Sequence, residues 1–249
     1  MKYRQIINSP NALLEISKGN IDGYSLVTFI GKNTDVDTSL ETISSIAPAY
    51  PASAETYYVS SDDDSDAVDV EITGLDADWE TQTVTQTLNG QTKTEVGSSV
   101  TWRRIFSVKN VGATDLAGDV YIYIDDTVTD GVPDNAVKIR TKTASNKSFD
   151  SIYTVPSGYT AFILNWHFSS ICGTSAVLTG ELQVREFGKV FQIYDMGNCD
   201  ESSEYEHKCT YCKVDAKSDI RIQCKSSAEN LEVKASFSII LVDNNYLVI

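Results

Sequence analysis

Strand-length apolar runs recur along almost the whole chain, broken at short intervals by Gly, Asn, Asp or Pro. They fall at 24–30, 57–60, 68–73, 81–88, 100–108, 120–124, 136–141, 151–155, 161–168, 176–186, 190–194, 220–224 and 231–241. The clearest is Val68, Val70 and Ile72 alternating with Asp69, Glu71 and Thr73, followed by a threonine-rich run that ends at Asn89-Gly90. Period-two alternation puts every second side chain on one face, and Asn-Gly supplies the positive φ of a tight hairpin turn. No long 3.6-residue period competes; the one helical signal is short, at 11–17, closed by Gly19. These features predict an all-β chain, an antiparallel β-sandwich or jelly roll, with an irregular N-terminal arm over 1–30 and a single sandwich domain over 31–249.

Composition narrows the partners. Of 249 residues 41% are hydrophobic, enough for a sizeable core, while 20 Lys+Arg against 35 Asp+Glu leave a net charge of −15. That field repels phosphate backbones, so no nucleic-acid partner is expected. The chain shows neither an apolar run of the roughly 18 residues a bilayer span needs nor an N-terminal stretch long enough for a secretory signal. The expectation is a soluble protein made in a cytoplasm, with no membrane partner.

Two strands, 120–124 and 237–242, are apolar at consecutive positions, so both their faces need cover, one from the core and the other from a neighbouring subunit. The arm carries Ile6, Ile7, Leu13, Leu14 and Ile16, costly to leave in water together, beside the basic Lys2 and Arg4. It is expected to dock on another subunit of an assembly or back across its own homotrimer. The segment 44–54, with Pro48 and Pro51, suits an extended connection or a loop lying on a neighbour.

Candidate chemistry is sparse. Cys199, Cys209, Cys212 and Cys224, with His207 nearby, offer enough ligands for a structural zinc ion, the one cofactor the sequence suggests. Against zinc, 209–212 reads as extended, which points side chains three apart to opposite faces. A disulfide is a second reading; thiols packed as small hydrophobes is the preferred one, and Cys172 reads as core. The acidic run Asp62, Asp63, Asp64, Asp66 with Asp69, like Asp125, Asp126 and Asp130, lacks the glycine and glutamate of an EF-hand and reads as solvated turns. His167 and His207 fit no nucleophile-elbow or zinc-protease pattern, and His167, beside Trp166, reads as a hydrogen-bonded core or face residue. No enzyme is expected. A paired-carboxylate glycosidase leaves no spacing rule, and only the abundance of acids recommends one. Trp79 and Tyr159, in turns, suggest a glycan-binding surface, although tyrosine also simply populates sheets and interfaces.

Four phrases occur in order: Gly-Lys-Asn-Thr-Asp-Val-Asp-Thr-Ser-Leu-Glu-Thr-Ile at 31–43; the Gly74-Leu75-Asp76 hairpin ending at Leu88-Asn89-Gly90; Tyr-Thr-Val-Pro-Ser-Gly-Tyr-Thr-Ala at 153–161; and Ser218-Asp219-Ile220-Arg221-Ile222 leading to Phe237-Ser238-Ile239-Ile240-Leu241-Val242-Asp243. Together they resemble virion structural proteins of tailed bacteriophages, common in marine phages, over most of residues 20–245. The resemblance implies a jelly-roll or sandwich subunit of the particle exterior: a capsid decoration or cement protein contacting the major capsid protein, or a head or tail appendage binding host saccharide. Two departures stand out. The usual Trp and Gly-Gly after Ile43 are replaced by Ser44-Ser45-Ile46-Ala47-Pro48, and the cysteines of 199–212 have no counterpart in the family.

Overall fold

The computed structural model describes residues 11–247 apart from 47, 49, 136, 142–144, 171–175, 201–203 and 229. Strand makes up 58% of the described residues and helix 3%, and the strand pairings are antiparallel, as the alternation predicts. One sheet runs in the order β1 (Tyr24–Val36), β18 (Leu231–Asp243), β13 (Tyr159–Ser170), β16 (Glu204–Val214). A second runs β12 (Ile152–Thr154), β17 (Asp219–Ser226), β14 (Val177–Arg185), β15 (Gln192–Asp200), with β2 (Glu41–Thr42) joined to β17. Both contribute to one buried cluster that includes Trp166, Phe168, Leu182, Ile222, Phe237 and Ile239.

The stretch between β2 and β12 builds a second core. Its sheets are β11 (Val137–Thr141), β8 (Val120–Ile124), β3 (Tyr57–Ser61), β6 (Thr94–Glu95), and β5 (Thr81–Thr87), β4 (Asp69–Asp76), β7 (Trp102–Asn110). Tyr57, Val70, Ile72, Trp102, Val120 and Ile122 are among the residues buried there. Within 31–249, read from sequence as one sandwich domain, the buried apolar residues gather in two main clusters, the second nested within the chain of the first.

Strands β4 and β7 serve both cores. Val70 and Ile72 face the second cluster while Leu75, on the opposite face by alternation, points into the first; between Thr73 and Gly74 the register with β7 shifts, Phe106 of β7 being the extra residue. Gly74 allows the close approach this requires, because a Cβ there would stand 2.1 Å from the Arg104 carbonyl oxygen. On β7, Trp102 and Val108 enter the second cluster while Phe106 enters the first.

Strands apolar on both faces find cover within the chain. In β8, Val120 and Ile122 join the second core, while Tyr121 and Tyr123 are buried on the other side, where the Tyr123 hydroxyl lies 2.9 Å from Ser60 Oγ and Tyr121 donates to Asp62 at 3.1 Å. In β13 a register shift between Ile163 and Asn165 keeps Ile163 and Trp166 both inward, leaving Phe162 and Leu164 on the far face. There the helix α1 (Ala12–Ser17) lays Ile16 with Ile21 over Ile240 and Val242. Neither strand therefore needs the neighbouring subunit that its sequence suggested. Of the arm residues, Ile16 is buried in this contact, Leu13 and Leu14 are exposed, and Ile6 and Ile7 lie outside the described residues. Residues 24–30, counted with the arm, belong to the sheet as the first half of β1.

The acidic run is more than a solvated turn. Asp66 is buried and accepts hydrogen bonds from Ala117 N at 2.8 Å, Gly118 N at 3.0 Å and Ser61 Oγ at 2.5 Å, and Asp62 accepts from Asp119 N at 2.7 Å. Two of its carboxylates thus pin the 115–119 loop. Asp63 keeps to its own turn, taking bonds from Ser65 N and Oγ that hold its carboxyl below the usual range. Asp126 likewise accepts from Thr127 N and Asn135 N, at 2.8 and 2.6 Å.

Candidate functional site

In the second sheet, Leu182, Val184, Ile220, Ile222 and Cys224 point into the first core. Period two therefore puts Glu181, Gln183, Arg185, Asp219 and Arg221 on the outer face. Strands with that pattern normally face water. Here Glu181, Gln183 and Asp219 are buried. Their cover comes from afar: Tyr50, in the proline-bearing 44–54 connection, and Phe191, in the hairpin between β14 and β15, have ring centroids 5.5 Å apart. The connection thus lies on its own chain.

Asp219, 3% exposed, organises the cluster. Its Oδ1 accepts from Arg104 Nε at 3.1 Å and Thr154 Oγ1 at 2.6 Å, and its Oδ2 from Arg185 Nε at 2.8 Å and Nη2 at 2.6 Å. Arg104 comes from β7 and Asp219 from β17, so the pair ties the inserted strands to the first sandwich. The guanidiniums of Arg104 and Arg185 lie 5.1 and 4.4 Å from the Tyr50 ring, and that of Arg221 lies 3.7 Å from Phe191. Arg221 donates to Gln183 Oε1 at 2.9 Å, and Gln183 Nε2 donates on to Glu181 at 2.6 Å. Burial, aided by the Asp219 charge, pushes the Tyr50 hydroxyl far above its ordinary range, while burial lowers Arg221. Proton chemistry near neutral pH is not what the Tyr50 hydroxyl is set up to do; it packs.

Beside this cluster a groove of about 380 Å³ opens, lined by Trp79, Arg103, Arg185, Phe187, Lys189 and Lys217 among others. Trp79 holds a left-handed backbone, φ 68°, fixed by bonds from its N to Asp76 O at 3.1 Å and from Ser157 N to its carbonyl at 2.8 Å. The residue is 7% exposed, with Arg103 and Arg104 at 4.9 and 5.3 Å from its ring and Phe187 edge-on at 5.5 Å. At Trp79 the plainer of the two readings, packing rather than an open aromatic platform, is what the chain's own side chains make.

Comparison with known proteins leaves this geometry to speak for itself. No protein-family model and no curated protein sequence matches the chain. Among solved structures it is similar to the infectious bursal disease virus Gx strain structure at 8% identity and a TM-score of 0.27, over 90% of this chain and 73% of that one. A second structure, of the Gt strain, gives 9% and 0.26, over 91% and 74%. Likeness at that level supports no conclusion about either fold or function.

The cysteines sit in strands. Cys199 on β15 and Cys224 on β17 flank β14, opposite Leu178 and Gly180, and both are buried in the first core. Cys212 packs against the same core from β16, in the other sheet, and the Cys209 side chain and Cys172 lie outside the described residues. Cys199, Cys212 and Cys224 carry thiols rather than a disulfide, and among the described residues no three His, Cys, Asp or Glu side chains converge as metal ligands. Burial pushes the Cys224 thiol well up, with Cys199 adding to the effect. His167 bonds Ser236 Oγ at 3.1 Å as a face residue. His207 pairs with Asp195, which also accepts from Trp166 Nε1 at 2.7 Å. Among the described residues no helix is long and apolar enough to cross a membrane.

Sequence reading passed over Arg104, Arg185, Asp219 and Arg221. For three of them the signal was present: polar and charged residues at strict period two inside strands, Glu181-x-Gln183-x-Arg185 and Asp219-x-Arg221. What it lacked was the cover, which is remote in sequence.

Proposed function

We propose that this chain is a non-enzymatic structural subunit of a virus particle, in particular a capsid decoration or cement protein on the exterior of a tailed bacteriophage. The observation that carries the reading is β15. It is the edge strand of its sheet and, while Cys199 is buried in the first core, its outer face is bare: Ile193, opposite Gln183, is 51% and Met196, opposite Glu181, 54% exposed, and the hairpin leading into it shows Phe187 at 61% and Val190 at 74%. Protein edges are normally blunted by charge, proline or cover, because a bare apolar edge templates pairing with another chain. A neighbouring subunit is the cover that suits it. Burial there contributes about 25 cal/mol per Å² of apolar area before the cost of association, the kind of attachment a shell-bound subunit needs.

The four sequence phrases supply the phage setting, and the major capsid protein is the neighbour that setting implies. Closed rotational symmetry is the usual outcome for identical subunits, and we assign the chain a homotrimer, with the acidic surface outward and α1, whose Leu13 and Leu14 remain exposed, at the attached side. Averaged imaging of purified particles tests the reading. Many copies on the icosahedral lattice support it; a few copies at a vertex or tail would turn it into an attachment module, and absence from the particle would end it.

A further inference from the structure

We infer that the groove beside the Asp219 cluster is a docking site for an acidic polypeptide segment, laid in extended form between the groove and the β15 edge. This deepens the subunit reading by naming the partner's chemistry, and rests on that reading only for the partner's setting. Charge is the first argument. In a chain of net charge −15, five cationic side chains, Arg103, Arg104, Arg185, Lys189 and Lys217, line one groove with only two carboxylates, Glu186 and Asp219. Asp219 is already engaged by two guanidiniums. Among the described residues, Arg103, Lys189 and Lys217 have no carboxylate within ion-pair distance. Arg103 spends its hydrogen bonds on the Ala77 and Ala52 carbonyls, at 3.0 and 2.9 Å, and Lys217 lies 5.7 Å from the Phe187 ring. A carboxylate brought from outside gains charge-assisted bonds here without displacing an existing pair.

Shape distinguishes a polypeptide from the other anions. Phe187, Gly188 and Lys189 line the groove, and the chain runs on from them through the exposed Val190 into the edge strand β15. Main-chain groups of an edge strand pair with an extended peptide, while apolar flanking residues take its alternate side chains. A sugar ring stacks on an open aromatic face; Trp79 has none, and the exposed Phe187 offers a single ring, with Trp79 against it and a lysine 5.7 Å away. Nucleic acid brings one phosphate after another against the surrounding negative field, which a short acidic segment within one Debye length of the groove, about 8 Å at physiological salt, largely escapes.

The test uses the full chain at physiological ionic strength with a fluorescent ten-residue peptide alternating Glu and Val, measured by anisotropy. The peptide is expected to bind, to weaken as salt is raised, and to lose binding when its Glu residues become Gln. The double variant Lys189→Glu with Lys217→Glu, both surface positions outside the buried network, is expected to weaken binding roughly tenfold or more; Arg103→Ala should weaken it too, and Lys93→Ala, paired with Asp125, should not. Failure of the unmodified chain to bind the peptide, or equal binding by the double variant, overturns the proposal. So does a sulfated oligosaccharide or a single-stranded oligonucleotide that binds the groove more tightly than the peptide. Absence of the chain from particles would sink the virion reading yet leave peptide binding standing, so the two failures are distinct.

Discussion

Asp150 lies buried below the crossing from β2, accepting from Ser45 N at 3.3 Å, and burial pushes its carboxyl up to about 7 despite the bonds from Ser148 and Ser45. Unfolded, the same group ionises near 4. The fold therefore favours the proton, so this contribution to stability is complete below pH 4, fades as pH rises from about 4 to 7, and is gone above. Asp150→Asn is expected to remove that slope and to exceed the wild type in stability at pH 8 by a few kcal/mol, up to about 4; urea unfolding at pH 5 and pH 8 checks it, and parallel curves would refute it. Asp219 is instead held by two guanidiniums. Replacing it with Asn leaves Arg104, nearly inaccessible, without its counter-charge, an effect of about 3–5 kcal/mol, whereas Asp125→Ala, which frees the exposed Lys93, should stay within about 1 kcal/mol.

At the scale of elements, close approaches decide what sequence changes are tolerated. Gly31 in β1 faces the Ile43 carbonyl, which Ser151 already holds through its N at 3.0 Å and its Oγ at 2.7 Å; an added Cβ would stand 1.9 Å from that oxygen. Gly31→Ala is expected to lower stability by about 3 kcal/mol, measured by denaturant midpoint, because backbone on both sides must move. Helix α1 matters by cover rather than by its own propensity, being only one and a half turns long. Deleting residues 1–20 strips Ile16 from Ile240 and Val242, so a loss of stability should accompany any loss of attachment; a truncated chain with an unchanged melting temperature would contradict the packing seen here. Alternation in the sequence made the strands and the all-β class legible. It could not foretell the register shifts in β7 and β13, since an extra residue is set by the partner strand, nor that the polar face of β14 and β17 is covered, since Tyr50 and Phe191 arrive from loops. The cysteine spacing read as metal-like in one dimension falls on strands of two different sheets.

Across the whole molecule the two cores share β4 and β7 and are clamped by Arg104 and Asp219. Residues such as Leu75 and Phe106 cannot leave one core without disturbing the strands of the other. A single cooperative unfolding transition is expected, with coincident curves from fluorescence and circular dichroism; two resolved steps would show that the cores are energetically separate. In the proposed assembly a neighbouring subunit covers the exposed face of β15. Amide hydrogen exchange over Gln192–Asp200, compared between the free chain and the chain bound in the particle, tests this most directly. The account predicts that these amides exchange much more slowly once assembled, while those of β8, already enclosed, change little; unchanged exchange along β15 in the particle would contradict it.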